Sequence, residues 1–308
     1  MSRPVRPEQA VTKPQTEQLI NYALHMRRNG RTEQTIERNT RILTQLSKYA
    51  DLKNPEEVKT VLADFKEWNN TTKIMTAYIL KAFYDYLEIP YKMPQYRAKR
   101  KLPFIPTEDE LDLLIASGNI TTATRLQLLK ETGARIGELD FLEWTHIDVQ
   151  RKTIYITAEK GSNSRFLPLS EKAISMLNHI KRTTDNHVFK TKGEGFRKTF
   201  QTLRKRLITQ LNNPRLKKIH FHTFRHWKAT TEYHKTRDIY HVATILGHRN
   251  VNSTTLYITL ENSLYQTTND EWTTTVTHNI QEEPQAIETG FELVRAINET
   301  TAIYKKRK

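Results

Sequence analysis

The chain has 308 residues, 37% of them hydrophobic, which is enough to bury a sizeable core and more comfortable as two domains than as one. Lysine and arginine total 49 against 34 aspartate plus glutamate, a formal charge of +15 that draws polyanions; nucleic acid leads, although anionic membranes or ribosomes would also suit it. The chain has no cysteine, which excludes disulfides, thiolate metal sites and cysteine nucleophiles; with no apolar run resembling a signal peptide or a bilayer span, a soluble cytoplasmic protein without a membrane partner is expected.

From residue 15 to 88, apolar side chains recur at helical spacing, as at Leu19, Ile20, Ala23 and Leu24 and again at Ile36, Ile42, Leu43 and Leu46. Gly30, Asn54-Pro55 and Asn69-Asn70 interrupt the pattern and Ile89-Pro90 closes it, which predicts a four- or five-helix unit over residues 12–90. Residues 91–103 mix prolines with Arg97, Lys99, Arg100 and Lys101, a composition that resists helix and suits an extended basic linker lying along phosphates. A second domain, 104–265, opens with Thr107 and Glu110 at capping-box spacing ahead of Leu111, Leu114 and Ile115.

Further helices are expected near 120–132, 136–142, 170–181, 194–211, 223–234, 237–246 and 252–260. Between them the period changes: 153–157 and 165–167 are β-type runs around a polar turn, a hairpin inside a mainly helical domain. Residues 266–308 read as a Thr-rich polar connector to Pro284, a terminal hairpin from 291–296 and 301–304, and a basic tail. The expected class is mainly α with a small β-sheet, an α+β chain.

Four segments of the second domain carry candidate chemistry. They are Thr132-Gly133-Ala134-Arg135-Ile136-Gly137-Glu138, then Lys160-Gly161-Ser162-Asn163-Ser164-Arg165, then His222-Thr223-Phe224-Arg225-His226, and last Leu246-Gly247-His248 with Tyr257 nine residues on. Singly, each has an ordinary reading: a capping arginine, a solvated turn lysine, a tyrosine packed in a core. In this order and spacing they closely resemble the tyrosine recombinase (phage integrase) family. That family carries an arginine in T-G-x-R-x-x-E, a lysine on a hairpin turn, H-x-x-R-H, a histidine after L-G, and a tyrosine about nine residues later.

The resemblance implies a helical core-binding domain followed by a catalytic domain, with Arg135, Lys160, His222, Arg225, His248 and Tyr257 as the catalytic set. It implies double-stranded DNA as substrate, four copies on synapsed sites, and neither metal nor ATP as cofactor. Glu138 and His226 are expected to support the reacting groups, and Arg97, Lys99, Arg100 and Lys101 to contact DNA. The chemistry is coherent. Two guanidinium groups can hold the non-bridging oxygens of a phosphodiester under attack, which suits Arg135 and Arg225. A tyrosine can carry the covalent intermediate, and the leaving 5′ oxygen needs a proton, for which Lys160 is the natural donor. His222 would assist proton transfer or bind the phosphate, and His248 would donate to a non-bridging oxygen.

Two other readings remain on residues alone. His222 and His226, four apart on one helix face, could ligate zinc in a metal-dependent nuclease, although Arg225 puts a cation beside them and no acidic residue lies between. A DNA-binding module without chemistry would use the first unit and the basic linker. Two departures from the family pattern stand out: Asn163 where many members have a second lysine, and Tyr233-His234-Lys235-Thr236 in place of a frequent Gly-containing turn.

Overall fold

The computed structural model describes residues 13–98, 101–159, 161–180, 186–265, 272–298 and 300–307. The chain divides into two compact units, one ending at Lys101 and the other beginning at Leu102.

The first unit holds α1 (Lys13–Arg28), α2 (Glu33–Ser47), α3 (Pro55–Asp64) and α4 (Asn70–Tyr86). Two of the interruptions in the sequence pattern are helix starts. Asn54 accepts a hydrogen bond from the Glu57 N–H at 3.3 Å, with Pro55 in the first turn, and Asn69 accepts from the Thr72 N–H at 2.9 Å. The four helices close over Leu43, Leu46, Leu52, Leu62, Leu80 and Phe83, all fully buried. Residues 91–98 have no regular structure; Arg97 is exposed there, and its carbonyl accepts from Asn70 Nδ2 at 2.7 Å. Lys101 is exposed as well, while Lys99 and Arg100 lie outside the described residues.

The second unit starts with α5 (Glu108–Ala116), and the capping box closes: the Glu110 N–H reaches Thr107 Oγ1 at 3.3 Å and the Thr107 N–H reaches Glu110 Oε2 at 2.9 Å. α6 (Ile120–Thr132) follows, then α7 (Ile136–Asp140). α6 is the central helix, with Leu126, Leu128 and Leu129 fully buried and neighbours on several sides, so its apolar residues form no single stripe. An antiparallel sheet comes next, in the order β1-β2-β3: β1 (Ile147–Asp148), β2 (Thr153–Ile156), β3 (Arg165–Pro168). The hairpin β2–β3 has the expected place, whereas β1 is two residues long and too short to leave a period in the sequence.

The helices resume with α8 (Glu171–Asn178), α9 (Gly193–Leu211), α10 (Phe221–Thr236), α11 (Ile239–Leu246) and α12 (Leu256–Leu264). Beyond them lie β4 (Trp272–Thr277), α13 (Glu283–Glu288), β5 (Glu292–Ala296) and β6 (Ala302–Arg307), with strand order β4-β6-β5. Here the reading of a polar connector reaching Pro284 fails. Residues 272–277 are an edge strand paired along its length with β6, because β-branched threonine suits a pleated surface and Thr277 is buried there, bonding the Ala302 carbonyl. The basic end is not a free tail either: Lys305, Lys306 and Arg307 continue β6, the middle strand, opposite Thr274, Thr273 and Trp272. Residues 266–271 and Lys308 lie outside the described residues. No helix among the described residues is long and apolar enough to cross a membrane.

Candidate active site

α6 ends at Gly133, whose φ of +60° is the left-handed conformation that a helix C-terminus favours in glycine. The chain turns there and delivers Arg135 as the residue capping α7. The Arg135 N–H donates to Glu138 Oε2 at 2.9 Å, and its Nη1 lies 3.3 Å from Glu138 Oε1. The Glu138 side chain has no exposed surface, yet its carboxylate also accepts Arg165 Nη2 at 2.9 Å and Ser162 Oγ at 2.9 Å. Burial alone would raise the Glu138 pKa. The hydrogen bonds and charge of Arg165, with those of Arg135 and Ser162, hold it below the ordinary carboxylate value.

The hairpin turn is tied to the other side of the site by its backbone. The Asn163 N–H donates to the Gly247 carbonyl at 2.9 Å, and Arg165 Nε donates to the Ile245 carbonyl at 2.6 Å. Gly247, at φ +67°, admits this approach; a Cβ in its place would stand 2.6 Å from the Asn163 carbonyl oxygen. The departure at Asn163 is therefore harmless to the turn, which uses the main chain of that residue. Arg165 was read as the end of the hairpin-turn segment and the start of a β-type run, with no role in the site. It is buried, at an inward position of β3 whose neighbour Phe166 faces out, and a charged residue on the inner face of a strand was the available signal.

α10 carries the H-x-x-R-H segment. Arg225 is 1% exposed and spans two helix ends, donating from Nη1 to the Gly133 carbonyl at 2.8 Å and from Nη2 to the Leu246 carbonyl at 2.6 Å. Burial and the neighbouring Arg135 lower its pKa to about 10, so it remains a cation at neutral pH. His222 is exposed at the start of α10; desolvation, limited for a ring so placed, and the charges of Arg225 and Arg135 hold it below the usual imidazole value. His226 and His248 are half-buried. Desolvation, aided by His222 and Arg225, pushes His226 down to about 4; desolvation, with Arg225, Arg135 and Arg165, does the same to His248. His248 Nδ1 lies 2.8 Å from Thr254 Oγ1.

Tyr257, in the first turn of α12, is 2% exposed among Ala229, Val242, Leu246 and Leu260. Its hydroxyl meets His226 Nδ1 at 3.1 Å. Burial pushes its pKa up to about 12 against the downward pull of Arg225 and Arg135. Five of the six residues expected to react thus lie within reach of one another's charge; the sixth, Lys160, lies outside the described residues. The His222 and His226 rings meet edge to face at 4.6 Å, and among the described residues no three His, Asp or Glu side chains gather as a metal-ligand set.

Comparison with known proteins agrees with the motif order. A tyrosine recombinase of Thermosipho africanus (strain TCF52B) is 28% identical over 264 residues, 79% of this chain and 93% of its own length. The tyrosine recombinase XerC of Xanthomonas axonopodis pv. citri (strain 306) is 27% identical over 176 residues, 54% of this chain and 57% of its own. Among solved structures, lambda integrase residues 75–356 bound to DNA has the same fold, with a TM-score of 0.62 at 14% identity over 83% of this chain and 99% of that one. The phage integrase family model matches residues 105–263, more than half of the chain and the whole run of motifs from Thr132 to Tyr257, and the chain belongs to that family.

Proposed function

We propose that this chain cuts and rejoins duplex DNA at specific sites, with Tyr257 as the nucleophile, and exchanges strands between two sites as a tetramer. The observation that carries the reading is the contact of the Tyr257 hydroxyl with the neutral His226 ring, on the helix that also presents His222 and Arg225. With the hydroxyl as donor, His226 Nδ1 is the acceptor and the ring proton sits on Nε2.

In the first step Tyr257 Oη forms a bond to the scissile phosphorus while the bond from phosphorus to the 5′ oxygen breaks. The tyrosine proton passes to His226, and the leaving 5′ oxygen takes a proton from Lys160, leaving a 3′-phosphotyrosyl link and a free 5′ hydroxyl. The reverse step, with a 5′ hydroxyl from the partner duplex, rejoins the strands. Magnitudes decide the timing of the first transfer. Between a phenol near 12 and an imidazole near 4, full proton transfer at rest is uphill by roughly 11 kcal/mol. The proton therefore leaves during attack, when the forming bond to phosphorus acidifies the phenol. The incoming phosphate, an anion, also raises the His226 pKa.

Arg225 holds the site together through two carbonyls, and each of those nitrogens has a second hydrogen for a phosphate oxygen. Arg135, with its backbone and side chain on Glu138, presents the other half of the clamp, and His248 and His222 complete the donors. The four basic residues at 97–101 contact the DNA backbone, where they add affinity without reading sequence.

The test is a nicked duplex carrying the target site, incubated in EDTA and resolved on a denaturing gel. The wild type forms a covalent adduct and Tyr257→Phe forms none. Cleavage that requires a divalent ion and survives Tyr257→Phe would instead favour the nuclease reading of the histidine pair.

A further inference from the structure

The turn after α10 lacks the glycine frequent in the family, and its left-handed residue is Arg237, at φ +55°. An arginine there is strained and persists only where the surroundings hold it. The side chain supplies that hold. Arg237 Nη1 bonds Glu261 Oε2, and His234 Nδ1, in the last turn of α10, meets Glu261 Oε1 at 2.9 Å. The His234 ring also stacks on Tyr265, which closes α12, with centroids 3.8 Å apart. Glu261 is 2% exposed and both of its oxygens are occupied, so the carboxylate cannot be exchanged for water without moving one of the two helices.

Glu261 lies four residues after Tyr257, on the same face of α12. α12 is thus fastened to α10 at two levels, about one turn apart along α12 and more than two along α10: Tyr257 on His226, and Glu261 on His234 and Arg237. The upper contact is a single hydrogen bond between neutral groups. The lower one joins a buried carboxylate to the partly exposed side chains of Arg237 and His234, and it fixes the rise and rotation of the helix that carries the nucleophile. We propose that Glu261, with Arg237 and His234, is a latch that positions Tyr257 for attack, so that the altered turn is part of the cleavage machinery rather than a neutral replacement of glycine. The proposal rests on Tyr257 being the nucleophile.

Arg237→Gly is the informative variant, because it removes the main arm of the latch while relieving the backbone strain, so that part of the stability lost with the ion pair is offset, and its melting temperature is measured beside its activity to confirm folding. Glu261→Gln removes the charge and keeps the shape. Each is compared with wild type in single-turnover cleavage of the nicked duplex at saturating protein, in DNA affinity, and, without DNA, by the NMR signal of 13Cζ-labelled tyrosine assigned to Tyr257 through Tyr257→Phe. The latch predicts cleavage slowed at least about tenfold, DNA affinity within about twofold, a shifted Tyr257 signal, and partial recovery in the charge-swapped pair Arg237→Glu with Glu261→Arg. Arg237→Gly cleaving at the wild-type rate overturns it, as does a loss of cleavage that merely follows a loss of DNA affinity. If wild type forms no adduct, the nucleophile reading falls, and an unmoved Tyr257 signal in both variants disposes of the latch separately.

Discussion

Around Glu138, a buried carboxylate gathers Arg165, Arg135 and Ser162, and Arg165 carries the linkage on to the Ile245 carbonyl. Around Tyr257, the contacts are a phenol on a neutral imidazole and a small apolar cluster. The first region is a rigid electrostatic frame in which removing one charge strands another; the second holds its group by one hydrogen bond of the kind worth about 1 kcal/mol. The difference separates what must stay fixed from what must move. Cations that meet a phosphate are useful only when pre-positioned, whereas the nucleophile's oxygen has to advance onto phosphorus while its proton passes to His226.

The sharpest way to break this comparison is to remove Glu138. Glu138→Ala leaves Arg165 buried without its carboxylate and is expected to cost about 3–5 kcal/mol in urea unfolding, against about 1 kcal/mol for Tyr257→Phe, which loses only a hydroxyl. Equal costs would mean that the frame and the nucleophile are held alike. Next in size is the role of His226. His226→Asn keeps an acceptor near Nδ1 but cannot carry the proton, so adduct formation should slow by about 100-fold while DNA affinity stays unchanged; a rate near wild type would reduce His226 to a packing group.

Much of the frame was legible because it rests on local rules. Thr107 and Glu110 announced a capping box, Asn54-Pro55 and Asn69-Asn70 marked helix ends, and Gly133 and Gly247 stand where left-handed backbone is required. What escaped depends on partners far along the chain. Arg165 is paired with a carboxylate 27 residues away, so its inward place on the strand hinted at a partner without showing which residue supplies it. β4 escaped for a related reason: a run of threonines is polar by composition, and only the partner strand about 30 residues later makes it a strand. Arg237 was hidden by its own turn, since nothing local shows that a strained arginine has a buried glutamate to reach.

The smallest expected effect concerns acid, and it sharpens the contrast between the regions. His226 and His248 have folded-state pKa values near 4 against an ordinary 6.5. As pH falls, the unfolded chain takes up these protons near 6.5 while the folded chain resists until about 4. The stability they confer is therefore complete above about 6.5 and is lost progressively down to about 4, on the order of 1–2 kcal/mol for each half-buried ring. Glu138, whose folded pKa lies below the ordinary carboxylate value of 4.5, contributes stability that is present above that value and lost only under stronger acid. Unfolding free energy measured from pH 7 to 4 should thus fall first through the histidines, and His226→Asn should flatten that part of the curve without touching the steeper loss below it. If His226→Asn follows the wild-type slope throughout, the ring takes up its proton at the same pH in the folded and unfolded chain, and burial against Tyr257 does not hold it neutral in acid.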